Sequence, residues 1–296
     1  MNRRAFLANG IAATAWAAGW RPPPRGTARI RFGYAAITWD DNDRQAIDDI
    51  AALGFRGIQL RQSAVATWGN DPAALTELLA ARNLALVALS SGVMRLDPAA
   101  EAETIAQHVR HARFVRDVGG FYLQILDERP RGREPEPADY RRTGRLLTEL
   151  GRRTADLGIP LGYHNHMGNL GQAPDEVARV LDAADPRFVH LQLDTAHYQQ
   201  AGGNPADAVR QYAGRVLFLH LKDLEKGPES YRFVELGRGT VDFPAVFAAL
   251  DAIRFDGWGV VELDRVPPSD PARTPRESGA ISRRYLDALG RWNDAS

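Results

Sequence analysis

The sequence predicts a single α/β domain, a (β/α)8 TIM barrel, and three observations indicate this fold class. From Arg29 onward, apolar runs of five to nine residues alternate with longer helical patterns in eight successive pairs, as is typical of a closed parallel barrel. A length of 296 residues with 44% hydrophobic residues suits one large core, because such barrels often reach this size as one domain. No strand is followed by the G-x-G-x-x-G turn of a doubly wound sheet, the alternative architecture.

The N-terminal residues are predicted to be an export signal rather than part of the barrel. Arg3 and Arg4 precede a short Ala-rich apolar segment, and a Pro-rich stretch ends at Gly26. This order is typical of twin-arginine signals, and the apolar segment is too short for a membrane span. We assign residues 1–26 to a signal peptide with linker and residues 27–296 to the barrel. We expect a periplasmic protein without membrane association after signal removal; the alternative is an N-terminus that happens to contain two arginines.

The elements follow from this alternation of apolar runs and helical patterns. Strands are expected at Ile30–Thr38, Gly57–Arg61, Ala85–Ser90, Tyr122–Leu126, Pro160–His166, Val189–Asp194, Val216–Lys222 and Gly259–Leu263. Helices are expected at Asp43–Leu53, Pro72–Arg82, Ala99–Val118, Pro137–Leu157, Pro174–Ala184, Pro205–Ala213, Phe243–Ile253 and Pro275–Trp292. Several of the helices begin with Pro, whose missing N–H has no partner in the first turn in any case.

Polar side chains are expected at the C-terminal ends of the strands, where the active sites of such barrels lie. Successive side chains alternate between the barrel interior and the helix layer. On the seventh strand, this alternation directs Leu217, Leu219 and Leu221 toward the helices and His220 and Lys222 inward. By the same count, the other inward polar residues are Gln59, Gln124, His164, His166, Gln192, Asp194 and Glu262.

Four consecutive strands thus present two imidazoles and two carboxylates at one rim of the barrel: His164, Asp194, His220 and Glu262. An unpaired charge buried there would cost on the order of several kcal/mol, and a divalent cation offsets this cost by pairing the carboxylates. The chain contains no Cys, so thiolate ligands are excluded and the set suits one Mn²⁺, Co²⁺, Zn²⁺, Fe²⁺ or Mg²⁺ ion. The alternative is a hydrogen-bonded polar cluster without a metal.

Four motifs carry a family resemblance: Tyr163-His164-Asn165-His166-Met167-Gly168, Leu193-Asp194-Thr195-Ala196-His197, His220-Leu221-Lys222-Asp223 and Val261-Glu262-Leu263. With them the chain resembles the xylose isomerase-like TIM barrels, in particular the sugar phosphate isomerase/epimerase group and the inosose dehydratases. The resemblance covers roughly residues 29–290. It implies one divalent metal bound by Asp194, His220 and Glu262. Many members supply a further Glu ligand from the fifth strand, and this chain has His164 at or near that place.

The resemblance also implies a reaction, the abstraction of a proton next to a carbonyl with a metal-stabilised enediolate. The substrate is expected to be a keto-sugar, glycoside or cyclitol, and the enzyme a sugar isomerase/epimerase or a dehydratase (lyase). Candidate catalytic groups are Glu262, Lys222, His166 and His197. Near a cation the pKa of Lys222 is expected to fall, which would allow acid–base work. The alternative for Lys222 is an ion pair with Asp223, Glu262 or Asp264.

Substrate contacts are expected from polar and aromatic residues at the same rim, namely Gln59, Gln124, Gln192, His197, Arg238 and Trp39. The glutamine side chains are suited to hydrogen bonds with sugar hydroxyls. The alternative is that they cap the polar layers of side chains in the barrel interior. Arg238 lies in a Gly-Arg-Gly loop. We expect it to contact an anionic group of the substrate or to cover the site, and the alternative is a solvated arginine on a surface loop. The tryptophan is a candidate for stacking on a sugar. Of the other histidines, His108 and His111 are expected to be solvated on the third helix, and His190 to be structural.

Two other functions compete with a sugar-processing enzyme. The 37 basic and 37 acidic residues balance, which removes the electrostatic basis for strong nucleic-acid binding. An endonuclease IV-like phosphodiesterase would need three metals and a basic face, so seven histidines and zero net charge argue against it. A non-catalytic periplasmic sugar-binding barrel is the other alternative. Related barrels are often dimers, so a homodimer is an expected oligomeric state.

Overall fold

Eight parallel strands close into a barrel in the computed structural model, which describes residues 29–227, 230–267, 270 and 272–292. The barrel strands are β1 (Arg29–Ala35), β2 (Gly57–Arg61), β3 (Ala85–Met94), β4 (Tyr122–Asp127), β5 (Leu161–His164), β6 (Val189–Asp194), β7 (Val216–Leu221) and β10 (Asp256–Val261). Their order around the barrel is β1-β10-β7-β6-β5-β4-β3-β2, which confirms the predicted fold. The predicted signal peptide and linker, residues 1–26, lie outside the described residues.

Helices surround the barrel between the strands. They are α1 (Asp43–Ala52), α2 (Ser63–Trp68), α3 (Pro72–Ala80), α4 (Glu101–Val118), α5 (Pro137–Ala155), α6 (Pro174–Ala183), α7 (Thr195–Gln200), α8 (Pro205–Gln211), α9 (Phe243–Ala252) and α10 (Pro275–Ala288). Five of them begin with the predicted Pro, and a polar residue just before the helix accepts a backbone N–H at several starts, as Asp71 does from Ala74. Within the described part of the chain, no helix is long and apolar enough to cross a membrane.

The predicted and observed elements differ most after β7. Between the seventh strand and the helix that begins at Phe243, where no element was predicted, the chain forms an antiparallel hairpin of β8 (Asp223–Lys226) and β9 (Tyr231–Val234). The fifth strand ends at His164 rather than at His166, so His166 lies in the following loop. Both differences bear on the polar rim, because they decide which side chains stand over it.

Apolar side chains fill the lower part of the barrel, and polar side chains fill the upper part. The lower cluster consists of Ala35, Val87, Ala88, Leu217, Phe218, Trp258 and Val260. The prediction that Leu217 faces the helices is wrong: the register between β6 and β7 shifts at this residue, as in a β-bulge, and turns it inward. Beyond the bulge, Leu219 and Leu221 pack against the helix layer as predicted.

His108 and His111 on α4 are buried, which corrects the expectation that they are solvated. Oγ of Ser91 lies 2.6 Å from Nδ1 of His108 and 2.8 Å from Nδ1 of His111. One hydroxyl can donate to one ring nitrogen and accept from the other, so the three groups satisfy each other. They fasten α4 to the end of β3, and burial lowers the pKa of His108 to about 4.

Candidate metal centre

Three ligand atoms converge where β5, β6 and β7 end. Single donor atoms of His164, Asp194 and His220 all lie within 4.8 Å of one another. Oδ2 of Asp194 is 3.5 Å from Nε2 of His164 and 3.5 Å from Nδ1 of His220. The three side chains are almost fully buried. Parallel strands of neighbouring register bring these residues together, since Asp194 pairs directly with His220.

These three atoms have no hydrogen-bond partner among the described residues. Nε2 of His164, Oδ2 of Asp194 and Nδ1 of His220 are all buried and unsatisfied. Oε2 of Glu262 lies 3.0 Å from Nδ1 of His220, but the contact does not have hydrogen-bond geometry. Buried polar atoms without partners are rare in folded proteins. Two imidazoles and a carboxylate aimed at one point therefore fit a divalent cation, with Glu262 beside them.

The sequence around Asp194 orients its carboxylate toward that point. Asn165 holds the Asp194 backbone from β5, since its side chain accepts from the Asp194 N–H at 2.8 Å and donates to the Asp194 carbonyl at 3.2 Å. The other carboxylate oxygen, Oδ1, accepts the N–H of His197 at 2.9 Å and caps α7. Oδ2 has no partner among the described residues, so the same carboxylate caps a helix and offers one oxygen atom to the candidate metal centre.

The electrostatics of the cluster suit a cation. Burial raises the pKa of Asp194, but His197, Lys222 and the other neighbours outweigh burial and hold this pKa well below its usual value. Burial lowers the pKa of His164 to about 4, so this ring is neutral near pH 7 and can serve as a ligand. Burial opposes a charge on His220, yet Glu262 and Asp194 raise its pKa to about 9. The raised pKa keeps a proton on Nδ1 of His220, between the carboxylates of Asp194 and Glu262. A metal ion bound at Nδ1 would replace this proton.

Lys222 is buried and surrounded by acceptors. Its Nζ lies 2.6 Å from Oδ1 of Asp264, 3.1 Å from Oε2 of Glu262 and 3.4 Å from Nε2 of His197. Burial lowers the pKa of Lys222, but Glu262, Asp194 and Asp264 outweigh burial and raise it above its usual value. The ion pair that the sequence left open is therefore present, with Glu262 and Asp264 as partners.

Two further predicted histidines stand over the centre. The rings of His166 and His197 have their centroids 3.8 Å apart, and the ring of His164 lies 5.5 Å from that of His166 and 6.0 Å from that of His197. His197 is buried, and burial lowers its pKa to about 2. His166 is half-buried. The structure thus brings all four predicted histidines together.

Phe233 on β9 is a residue of this site that the sequence analysis missed. Its ring centroid lies 4.9 Å from that of His197 and 4.1 Å from Nζ of Lys222, a distance at which a cation is attracted to an aromatic face. The alternation of Tyr231 and Phe233 with a charged residue between them is a strand signal within the connection. That signal could have predicted the hairpin but not its position over the barrel.

The predicted glutamines line the barrel interior directly beneath the histidines. Gln59 and Gln124 form a hydrogen-bonded pair that contacts His220 and His164. Gln192 is buried beside His164, and neither its amide oxygen nor its amide nitrogen has a partner among the described residues. An amide group without hydrogen-bond partners in this position is suited to bind a hydroxyl group of a ligand.

Two predicted substrate residues lie apart from the cluster. Trp39 is buried, packs its ring on Tyr34 with centroids 5.5 Å apart, and donates from Nε1 to Oδ2 of Asp49 at 2.8 Å. Its expected stacking on a sugar is therefore corrected to a role in the core. The side chain of Arg238 is 47% exposed, and its Nη1 lies 3.7 Å from Oε2 of Glu235. This exposure matches the solvated alternative.

The loop that carries Arg238 is nevertheless fixed by a site neighbour. Asp223 is fully buried and accepts backbone N–H groups from Gly237, Gly239 and Val241 at 2.9, 3.0 and 3.1 Å. A Cβ on Gly239 would lie 2.2 Å from Oδ1 of Asp223, so only glycine allows this approach. Asp223 therefore binds the backbone of this loop, whereas the ion-pair partners of Lys222 are Glu262 and Asp264.

The comparisons with known proteins agree with this fold. The sequence model of the xylose isomerase-like TIM barrels matches residues 47–285. The chain belongs to this family. An inosose dehydratase of Lacticaseibacillus casei is 27% identical to this xylose isomerase-like TIM barrel, over 88% of the chain and 97% of the relative.

Solved structures share the fold of this xylose isomerase-like TIM barrel. The IolI protein with a bound zinc atom matches with a TM-score of 0.75 at 18% identity, over 89% of this chain and 99% of the other. A D-allulose 3-epimerase of Methylomonas sp. in complex with D-allulose matches with a TM-score of 0.70 at 21% identity, over 90% and 98%. Together with the inosose dehydratase relatives, they indicate an enzyme that processes sugars or cyclitols.

Proposed function

We propose that this xylose isomerase-like TIM barrel is a metal-dependent dehydratase (lyase) of an uncharged keto-cyclitol or keto-sugar. The observation that carries the proposal is the set of three buried, unpartnered donor atoms of His164, Asp194 and His220. The inosose dehydratase relatives support this substrate class. The reaction begins with removal of the proton next to the substrate carbonyl and ends with loss of a hydroxyl on the neighbouring carbon.

The metal ligands are His164, Asp194 and His220, with Glu262 adjacent. A divalent cation in this centre would act as a Lewis acid on the substrate carbonyl oxygen. The bound zinc of the IolI neighbour favours zinc, and manganese, cobalt, iron and magnesium are the other ions to test. Oδ2 of Asp194 is fixed by the contacts of the rest of this residue and is free to bind the ion.

His166 is the proposed base. Its Nδ1 lies 2.6 Å from the carbonyl oxygen of Met167, which can only accept a hydrogen bond. Nδ1 therefore carries the ring hydrogen, and Nε2 keeps a lone pair that can take a proton from substrate carbon. The ring is half-buried and stacked on His197, so it is oriented but reachable.

Lys222 is proposed to assist departure of the hydroxyl group. Its ammonium is held by Glu262, Asp264 and His197 and has a raised pKa. It therefore stays protonated and donates a hydrogen bond to the oxygen that departs as hydroxide. This hydroxide and the proton taken by His166 together make up the water that the substrate loses. Because the carboxylates already neutralise Lys222, it is not free to bind a substrate phosphate, which favours an uncharged substrate.

Isomerisation or epimerisation would begin with the same proton removal. An epimerase that works with two opposed carboxylate bases is a poorer match, since β5 presents the imidazole of His164 in place of a Glu. Elimination requires one base and one hydrogen-bond donor, and His166 and Lys222 supply these roles.

The test is turnover of keto-inositols and keto-sugars by the metal-loaded protein in D₂O. We expect exchange of the hydrogen next to the carbonyl, followed by a product that has lost water, detected by NMR and mass spectrometry. His166→Gln should slow exchange by about 100-fold, whereas His190→Gln, near the opposite end of β6, should not. A product of unchanged mass would indicate an isomerase/epimerase instead, and binding without exchange would indicate a sugar-binding barrel.

The periplasmic location is also a proposal, supported by the twin-arginine pattern of residues 1–26. Cell fractionation of the full chain tests it. We expect periplasmic protein for the natural sequence and cytoplasmic protein when Arg3 and Arg4 are both changed to Lys. A cytoplasmic location for the unchanged chain would contradict the proposal.

A further inference from the structure

Two buried glutamines join the two imidazoles of the proposed metal centre across the barrel interior. Nε2 of Gln59 donates to Oε1 of Gln124 at 2.6 Å. At one end of this pair, Oε1 of Gln59 lies 2.9 Å from Nε2 of His220. At the other end, Nε2 of Gln124 lies 2.8 Å from Nδ1 of His164. The result is a continuous four-residue chain of three hydrogen bonds, which we call the amide bridge.

The amide bridge allows only one of the two rings to donate into it. Each hydrogen bond joins a donor to an acceptor, and each glutamine has a donor at one end of its amide and an acceptor at the other. The direction of donation is therefore the same along the whole bridge, whichever way the amides are turned. If His220 donates at one end, His164 must accept at the other, and the reverse holds as well.

A metal ion requires the opposite arrangement. The atoms that face the centre are Nε2 of His164 and Nδ1 of His220, and each must offer a lone pair. The ring hydrogens must then sit on the other nitrogens, so that both rings donate into the bridge. If both rings donate, the side-chain oxygens of Gln59 and Gln124 both face a ring, and their two NH₂ groups face each other. Two NH₂ groups cannot form a hydrogen bond, so the 2.6 Å bond between Gln59 and Gln124 would be lost.

We propose that the hydrogen bond between Gln59 and Gln124 opposes metal loading, so that these two positioning residues set the metal affinity. The inference rests on the proposed metal centre. In the present arrangement His164 accepts from Gln124, and its ring hydrogen lies on Nε2, the atom that must bind the ion. Loading then requires the Gln124 amide to turn over and the bond to Gln59 to break.

A single carboxylate in the bridge removes the conflict. In Gln124→Glu, the new oxygens accept from both His164 and Gln59, and Gln59 still accepts from His220. Gln59→Glu achieves the same from the other side. The matched control is Gln192→Glu, because Gln192 is also buried beside His164 but lies outside the bridge. It adds the same charge near the same ring without changing the direction of donation.

The experiment measures the dissociation constants of Zn²⁺ and Mn²⁺ by competition with a chromophoric chelator. Gln59→Glu and Gln124→Glu should each bind at least about tenfold more tightly than Gln192→Glu. The double variant Gln59→Glu/Gln124→Glu places two carboxylates against each other and should lose the gain in metal affinity. Equal affinities for the bridge variants and Gln192→Glu would overturn the bridge proposal while leaving the metal centre intact. A wild-type protein and variants that all fail to bind metal would overturn the proposed function, and the bridge proposal with it.

A second measurement needs no variant. Nitrogen NMR of the histidine rings in the metal-free protein should place the hydrogen of His164 on Nε2, and zinc loading should move it to Nδ1. A metal-free protein in which His164 already carries its hydrogen on Nδ1 while His220 donates from Nε2 would overturn the proposal, since the bridge would then permit both rings to donate.

Discussion

Oε2 of Glu262 lies 3.1 Å from Nζ of Lys222, and the same oxygen lies 3.0 Å from Nδ1 of His220. One carboxylate thus connects the buried ammonium with the candidate metal centre. Removing the ammonium should impair turnover without removing a metal ligand. We expect Lys222→Met to lower kcat by about 100-fold or more while metal content stays unchanged. Lys226→Met, at an exposed position on β8 just after Lys222, is the control. Equal losses in both variants would contradict a specific role for Lys222.

The loop that carries His166 is anchored by a buried carboxylate on β4. The hydroxyl of Tyr163 donates to Oδ2 of Asp127 at 2.8 Å, and the N–H of Leu170 donates to Oδ1 at 3.0 Å. We expect Tyr163→Phe to lower the free energy of unfolding by about 1 kcal/mol, since it leaves a buried acceptor with one partner fewer. Tyr212→Phe is the matched control, because the Tyr212 hydroxyl is buried without a partner among the described residues. Denaturant unfolding of the two variants compares them, and similar losses would refute the anchor.

The cluster of Ser91, His108 and His111 should make stability depend on pH. Burial lowers the pKa of His108 from 6.5 to about 4. Below pH 6.5 the unfolded chain therefore takes up a proton that the folded chain refuses until the pH approaches 4. The free energy of unfolding should fall as the pH decreases through this window. We expect His108→Asn to show a shallower fall, measured by urea unfolding at several pH values; an unchanged slope would contradict this account.

The fold and most of the cluster were predictable because both depend on periodic patterns. Alternation along β5, β6 and β7 places His164, Asp194 and His220 on the inward face, and barrel closure brings that face together. The ends of elements were less predictable, because local chain reversals set them. His166 was expected on a strand and lies in a loop, and its orientation depends on contacts with Met167 and His197.

Other features required the three-dimensional contacts. The burial of His108 depends on Ser91, which lies on a strand extension that the apolar run did not predict. The pKa of Lys222 is raised because the carboxylates of Glu262 and Asp264, which follow β10, lie against it, and no local pattern places them there. Phe233 reaches the site through a hairpin whose position no local pattern fixes.

The most direct test of the account is the metal content of the purified protein after reconstitution, measured by inductively coupled plasma mass spectrometry. We expect about one equivalent of divalent metal in the wild type and below about 0.1 equivalent in Asp194→Asn and His164→Gln, with His190→Gln retaining the wild-type amount. All the variants should stay folded by circular dichroism. A wild-type protein that holds less than about 0.1 equivalent, or an Asp194→Asn variant that binds as well as wild type, would contradict the central claim.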